Sequence, residues 1–195
     1  MTPAPLPSLS ALPTAPRSSQ TALLDALFEP SPAMHALALP LLAHPPPPSS
    51  LAALVLSVQG ALMTLAANAD YDPARRDMLE DVLGAHPRLG AANAGLSEES
   101  RREQAAMEAA AAVGPPPGED ERRREADELA RLNAEYERAF PGMRYVVFVN
   151  GRPRADIMRD MRKRIERADI EEERLEAIRA MCAIALDRGR KLGIE

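Results

Sequence analysis

Prolines and capping residues cut this chain into segments of helical length, and that punctuation limits the fold before composition is considered. Leu23, Leu24, Leu27 and Phe28 recur at helical spacing until Pro30 stops the run. Ser31 then precedes Pro32 at a first helical position, with Met34, Leu37, Leu41 and Leu42 as the next apolar stripe, and the run Pro45 to Pro48 ends it. Ser49 and Ser50 offer caps for a mostly apolar helix from Leu51 to about Asn68, the candidate central member of a bundle. Asp72-Pro73 supplies an acidic cap and a proline at N1 ahead of Met78, Leu79, Val82 and Leu83, and Gly84 supplies the stop.

The second half follows the same logic. Ser97, with Glu98 and Glu99 in the first turn, opens a helix that carries Ser100 to Gln104, and Gly114-Pro115-Pro116-Pro117-Gly118 breaks the chain after it. Glu119 to Phe140 reads as an amphipathic helix with Leu129, Leu132, Tyr136 and Phe140 inward and a solvated face laced with i,i+4 ion pairs. Tyr145-Val146-Val147-Phe148-Val149, ended by Asn150-Gly151, is the one β-branched and aromatic run and is expected as a short extended segment through the core. Asp156 to about Arg167 and Ile170 to about Leu192 close the chain, the last with Leu175, Ile178, Met181, Cys182, Ala185 and Leu186 as its stripe. The 46% hydrophobic content comes largely from Ala and Leu while aromatics are 3%, which suits closely packed helices rather than sheets. The expectation is an all-α, single-domain helical bundle over residues 19–195, preceded by a disordered Pro/Ser/Ala-rich tail over 1–18. No repeat of solenoid period is visible.

A formal charge of −5 argues against general nucleic-acid affinity, so an anionic substrate would need locally placed cations. The stretch Leu51 to Ala67 contains Ser57, Gln59 and Thr64 and falls short of the ~20 residues that span a bilayer, so no membrane segment is expected. The N-terminus has neither a basic start nor an apolar h-region, and a secretory signal is not expected. The lone Cys182 lies in a helical stripe and reads as a small hydrophobe in a reducing, cytoplasmic compartment. His35, His44 and His86 stand too far from one another and from Cys182 for metal ligation, which removes support for a metal-dependent hydrolase.

Two strings carry chemistry. In His86-Pro87-Arg88-Leu89-Gly90 the proline disfavours the α-region for His86, so the imidazole sits on a stiff corner where the chain leaves a helix. Its reference pKa near 6.5 lets it act as acid or base; by local sequence alone, His-Pro reads first as a helix terminator with a capping ring, and the second string shifts that balance. In the second string, Ser100, Glu103, Gln104 and Met107 fall at i, i+3, i+4 and i+7 on one helical face. Hydroxyl, carboxylate, amide and thioether together suit a polar pocket wall better than a solvated face or a core, the alternative being a helix N-terminal turn with Ser and Glu placed for capping.

The order His86-Pro87-Arg88-Leu89-Gly90, Ser100-x-x-Glu103-Gln104, Leu132-Asn133-x-x-Tyr136, Tyr145 to Arg152, and Ile184-Ala185-x-x-Arg188 resembles the 2-oxo-4-hydroxy-4-carboxy-5-ureidoimidazoline (OHCU) decarboxylase family of uric acid degradation, over roughly residues 20 to 192. The resemblance implies an all-helical, cofactor-free, commonly dimeric enzyme that binds no metal and forms (S)-allantoin from a small anionic substrate. It implies His86 and Glu103 as catalytic, and Pro87, Ser100, Arg101, Arg102 and Gln104 as substrate-binding. It further implies backbone contacts to substrate from Tyr145, Val146, Val147, Phe148 and Val149, and Arg188 as the cation for an anionic group, with Arg190 a nearby competitor. Relatives in animals often carry a peroxisomal tripeptide, which Leu192-Gly193-Ile194-Glu195 does not match. The competing reading is a non-catalytic helical interaction module, supported by seven Arg or Lys against three acids between Arg152 and Arg167. The interspersed acids and missing aromatics make that stretch read as a solvated helix face.

Overall fold

The computed structural model describes residues 6–90, 100–103, 105 and 118–194. Seven helices are complete among them: α1 Arg17–Phe28, α2 Pro32–Leu42, α3 Leu51–Asn68, α4 Pro73–Gly84, α5 Glu119–Ala139, α6 Arg154–Arg167 and α7 Ile170–Lys191. Residues 100–103 and 105 are also helical, and no strand occurs among the described residues, so the fold is all-α. The capping residues behave as their chemistry dictates. Ser31 Oγ accepts from the Met34 amide at 3.2 Å, Ser50 Oγ from Ala53 at 3.1 Å, and Asp72 Oδ1 from Ala74 and Arg75 at 3.1 and 3.3 Å. Such a cap contributes about 1 kcal/mol.

Helix α3 packs against α7, α4 and α2, while α1 packs against α7 and α2, and α5 against α6. It is long and apolar enough to cross a membrane by length and composition alone. Its stripe Leu54, Val58 and Leu62 is nonetheless enclosed in the core, and Leu56 and Gly60 lie on its exposed face. At the α3–α7 crossing Gly189 meets Leu51: a Cβ at position 189 would lie 2.4 Å from Leu51 Cδ2, so the close approach requires glycine.

Two expectations change. The tail expected over residues 1–18 is ordered from Leu9, where residues Leu9–Thr14 form a 3-10 turn that buries Leu9 and Leu12. The i,i+3 leucines reach the core together, and Gln20 Nε2 donates to the Leu12 carbonyl at 2.7 Å. Residues 1–5 lie outside the described residues, as do the helix start at Ser97 and the loop from Gly114 to Pro117. The second change concerns the basic stretch, which is not uniformly solvated. Arg164 is buried with Glu173, to which its Nε donates at 2.9 and 3.1 Å. Because α6 and α7 join through Ala168 in a left-handed turn, Arg164 faces the start of α7 and finds its counter-charge there.

Candidate active site

The site is a cavity of about 280 Å³ whose walls include His86, Ser100, Glu103, Tyr145, the segment from Val147 to Gly151, and Ile184, Asp187 and Lys191 of α7. His86 reaches it because α4 ends at Gly84 and Pro87 keeps the chain from continuing as helix. The rest of the corner is pinned from α5. Arg88 forks onto Glu137 at 2.6 and 2.5 Å, Asn133 Nδ2 donates to the Leu89 carbonyl at 3.0 Å, and Gly90 turns at φ 74°. A side chain on Gly90 would run into Leu129, so the turn needs glycine twice over. The conspicuous neighbours of His86 and the Asn133 of the third string are therefore what hold the corner in place.

Opposite the corner, Ser100 is buried and Glu103 half-buried, and both are tied to Arg188. Arg188 Nε donates to Glu103 Oε1 at 2.7 Å, and Nη2 donates to Glu103 Oε2 at 2.9 Å, to Ser100 Oγ at 3.1 Å and to Glu29 Oε1 at 2.7 Å. Ser100 in turn donates its hydroxyl proton to Glu29 Oε1. A hydroxyl has one proton, so toward a ligand Ser100 can only accept.

Glu29 sits at the C-terminus of α1 with φ 85° and ψ 146°. A helix commonly ends on a left-handed residue, but the following Pro30 disfavours helical ψ and drives Glu29 to extended ψ at positive φ. That region is nearly reserved for glycine and costs of order 1–3 kcal/mol for other residues.

The third wall has no ladder to fix it, and side chains do so instead. Arg164 Nη1 donates to the Val146 carbonyl at 3.1 Å, its guanidinium lies 4.7 Å from the Tyr145 ring centre, and Tyr145 donates to Asp160 at 2.5 Å. Burial, the hydrogen bond to Asp160 and its charge push the Tyr145 phenol far above its usual range, so it stays protonated. The wall ends at Asn150 and Gly151, both at positive φ (40° and 74°).

Burial pushes His86 down to about 4, the Arg188 charge adds to that, and Glu29 opposes it, so the imidazole is neutral at pH 7. Its buried Nδ1 has no partner among the described residues, and neither does Arg188 Nη1. Burial raises Glu29, but the Arg188 charge and the hydrogen bonds from Ser100 and Arg188 outweigh it and leave its carboxyl below the ordinary range. One guanidinium thus serves two carboxylates, and beside a neutral histidine the buried cluster is net negative. Lys191, paired with Asp187 at 2.6 Å and largely exposed, is the one cation lining the cavity among the described residues. Nor do those residues gather three His, Cys, Asp or Glu side chains that could hold a metal ion.

Of the residues expected from sequence, His86, Pro87, Ser100, Glu103, Tyr145, Val147, Phe148 and Val149 line the cavity. Val146 does not: it is fully buried, with its carbonyl taken by Arg164. Arg101 and Arg102 are exposed and do not line it, because one or two positions past Ser100 a helix has turned them off the inner face. Arg188 stands behind the Ser100 and Glu103 wall, holding the protein's own carboxylates. Gln104 lies outside the described residues. Sequence reading missed Glu29, Asp187 and Lys191. For Glu29 a signal existed, since an acid at a helix C-terminus opposes the helix dipole and is placed there at a local cost.

The OHCU decarboxylase family model matches residues 13–190. No curated protein and no solved structure matches the chain.

Proposed function

The chain belongs to the OHCU decarboxylase family, and from that premise we propose that it converts 2-oxo-4-hydroxy-4-carboxy-5-ureidoimidazoline to (S)-allantoin in urate breakdown without a cofactor. The observation that carries the reading is the meeting of a buried neutral imidazole, His86, with Ser100 and Glu103 at one cavity. The bond to the carboxylate breaks, CO2 leaves, and the released electron pair moves into the adjacent ring C=N. The substrate hydroxyl then becomes a carbonyl, and its proton and one from solvent end on the ureido-bearing carbon and the ring nitrogen. The ring delocalises the charge itself, so the protein's task is to orient the carboxylate out of the ring plane and manage protons on one face.

The neutral His86 is suited to accept the hydroxyl proton and return it to carbon. Glu103, gripped by Arg188 through two hydrogen bonds, presents a fixed acceptor. Ser100, whose proton is committed to Glu29, suits an N–H of the ureido or ring portion. Lys191 at the rim offers the cation that an anionic substrate requires.

The module reading is disfavoured by where its arginines go. Arg154 pairs with Glu125 at 3.1 Å, Arg159 with Asp156 at 3.0 Å, Arg162 with Glu128, and Arg167 with Glu176 at 2.8 Å, so the basic stretch is locally neutralised. The test adds purified protein to substrate freshly generated from urate by the upstream enzymes and follows circular dichroism. Rapid appearance of one allantoin enantiomer is expected; slow racemic decay at the uncatalysed rate overturns the reading.

A further inference from the structure

We propose that Glu29 is a positioning residue for the decarboxylation, fixing Ser100 as a hydrogen-bond acceptor and Arg188 as the clamp on Glu103. The inference rests on the decarboxylase reading above, and three observations carry it. The carboxylate is 3% exposed, although it stands at a helix end next to a proline, where an acid gains nothing locally. Its backbone is held at φ 85°, a conformation that glycine adopts without strain, so its side chain must be what the position requires. One of its two oxygens, Oε1, accepts both from the Ser100 hydroxyl and from the Arg188 nitrogen that also reaches Glu103. Without Glu29 the Ser100 hydroxyl loses the acceptor that fixes its proton, and the guanidinium loses one of the two carboxylates that hold its orientation on Glu103. The wall facing His86 then loses its fixed pattern of acceptors.

Glu29→Gln, Glu29→Asp and Glu29→Gly separate positioning from simple support. Glu29→Gln is expected to lower kcat by roughly 10- to 100-fold per folded molecule, as misplaced catalytic groups do, with KM changed far less. Glu29→Asp keeps the charge and recovers part of that loss. Glu29→Gly relieves the backbone and melts no lower than Glu29→Gln, yet is at least as slow. Activity that follows the melting temperatures across the three variants, or Glu29→Gln within about twofold of wild-type kcat, overturns the proposal. The Arg188 Nε–H signal in NMR reads the clamp without turnover. It is expected to be slow to exchange in wild type and Glu29→Asp and averaged in Glu29→Gln, and an unchanged signal in Glu29→Gln also overturns the proposal. Wild type that fails to accelerate allantoin formation sinks the decarboxylase reading instead, and the NMR comparison still decides the role of Glu29.

Discussion

Replacing His86 with glutamine removes a group whose proton affinity changes sharply between the folded and unfolded chain. In the folded state burial and the Arg188 charge hold the imidazole at about 4, and in the unfolded chain it returns to the ordinary value near 6.5. Between those two pH values the unfolded chain binds more protons, so stability rises with pH across the window and is lost as pH falls through it. The separation corresponds to roughly 3 kcal/mol, fully present above about pH 6.5 and gone near pH 4. Urea denaturation of wild type and His86→Gln at half-unit steps from pH 7.5 to 4 is expected to give curves that converge toward low pH by about that amount. The same histidine sets the acid limb of kcat/KM, which reports the free enzyme. At pH 5 a group of pKa near 4 is about 90% neutral, whereas one of 6.5 is about 3% neutral, so activity is expected to survive at pH 5 where a solvated histidine would lose about 30-fold. Parallel stability curves, or a rate falling tenfold per pH unit from pH 6.5 downward, would refute the neutral-imidazole argument.

Other outcomes follow from burial and close packing. Glu173→Ala removes the buried partner of Arg164, leaving it Glu176 at 3.0 Å, and takes the acceptor from the Tyr136 hydroxyl; a loss of about 3 kcal/mol in urea denaturation is expected, partly restored when Arg164→Leu is added. Lys191→Glu reverses the lining cation and is expected to raise KM several-fold with kcat little changed, while added salt raises the wild-type KM and narrows the difference. Gly189→Ala drives a methyl group into Leu51 and is expected to cost about 1–3 kcal/mol, read as a lower melting temperature, with Leu51→Ala relieving the clash.

The helices were legible because their rules are local. A serine or aspartate cap, a proline at N1 and a stripe at 3.6-residue spacing act within a few residues, and α2, α3 and α4 follow them closely. The His86 corner was legible for the same reason, since Pro87 constrains the residue beside it. The wall from Tyr145 to Val149 was readable as extended, but not as a segment held by Arg164, whose reach comes from how α6 packs. Glu29 and Arg188 were illegible as partners because their meeting depends on α1 and α7 lying side by side, which no local pattern states. The early turn at Leu9 to Thr14 reads as tail from sequence because its prolines and serines resemble a disordered composition, while two leucines three residues apart suffice to anchor it.

The pairing of Glu29 with Arg188 spans 159 residues and so reaches into the timing of synthesis. At about 5–20 residues per second, the arginine leaves the ribosome roughly 8 to 30 s after the acid it must neutralise. Until then the first helices carry a carboxylate with no counter-charge to accompany it into an apolar interior, and they have reason to leave that corner open to water. The last helix therefore brings the charge that lets the first one close, and a nascent chain cut off before α7 holds the histidine corner without a working pocket around it.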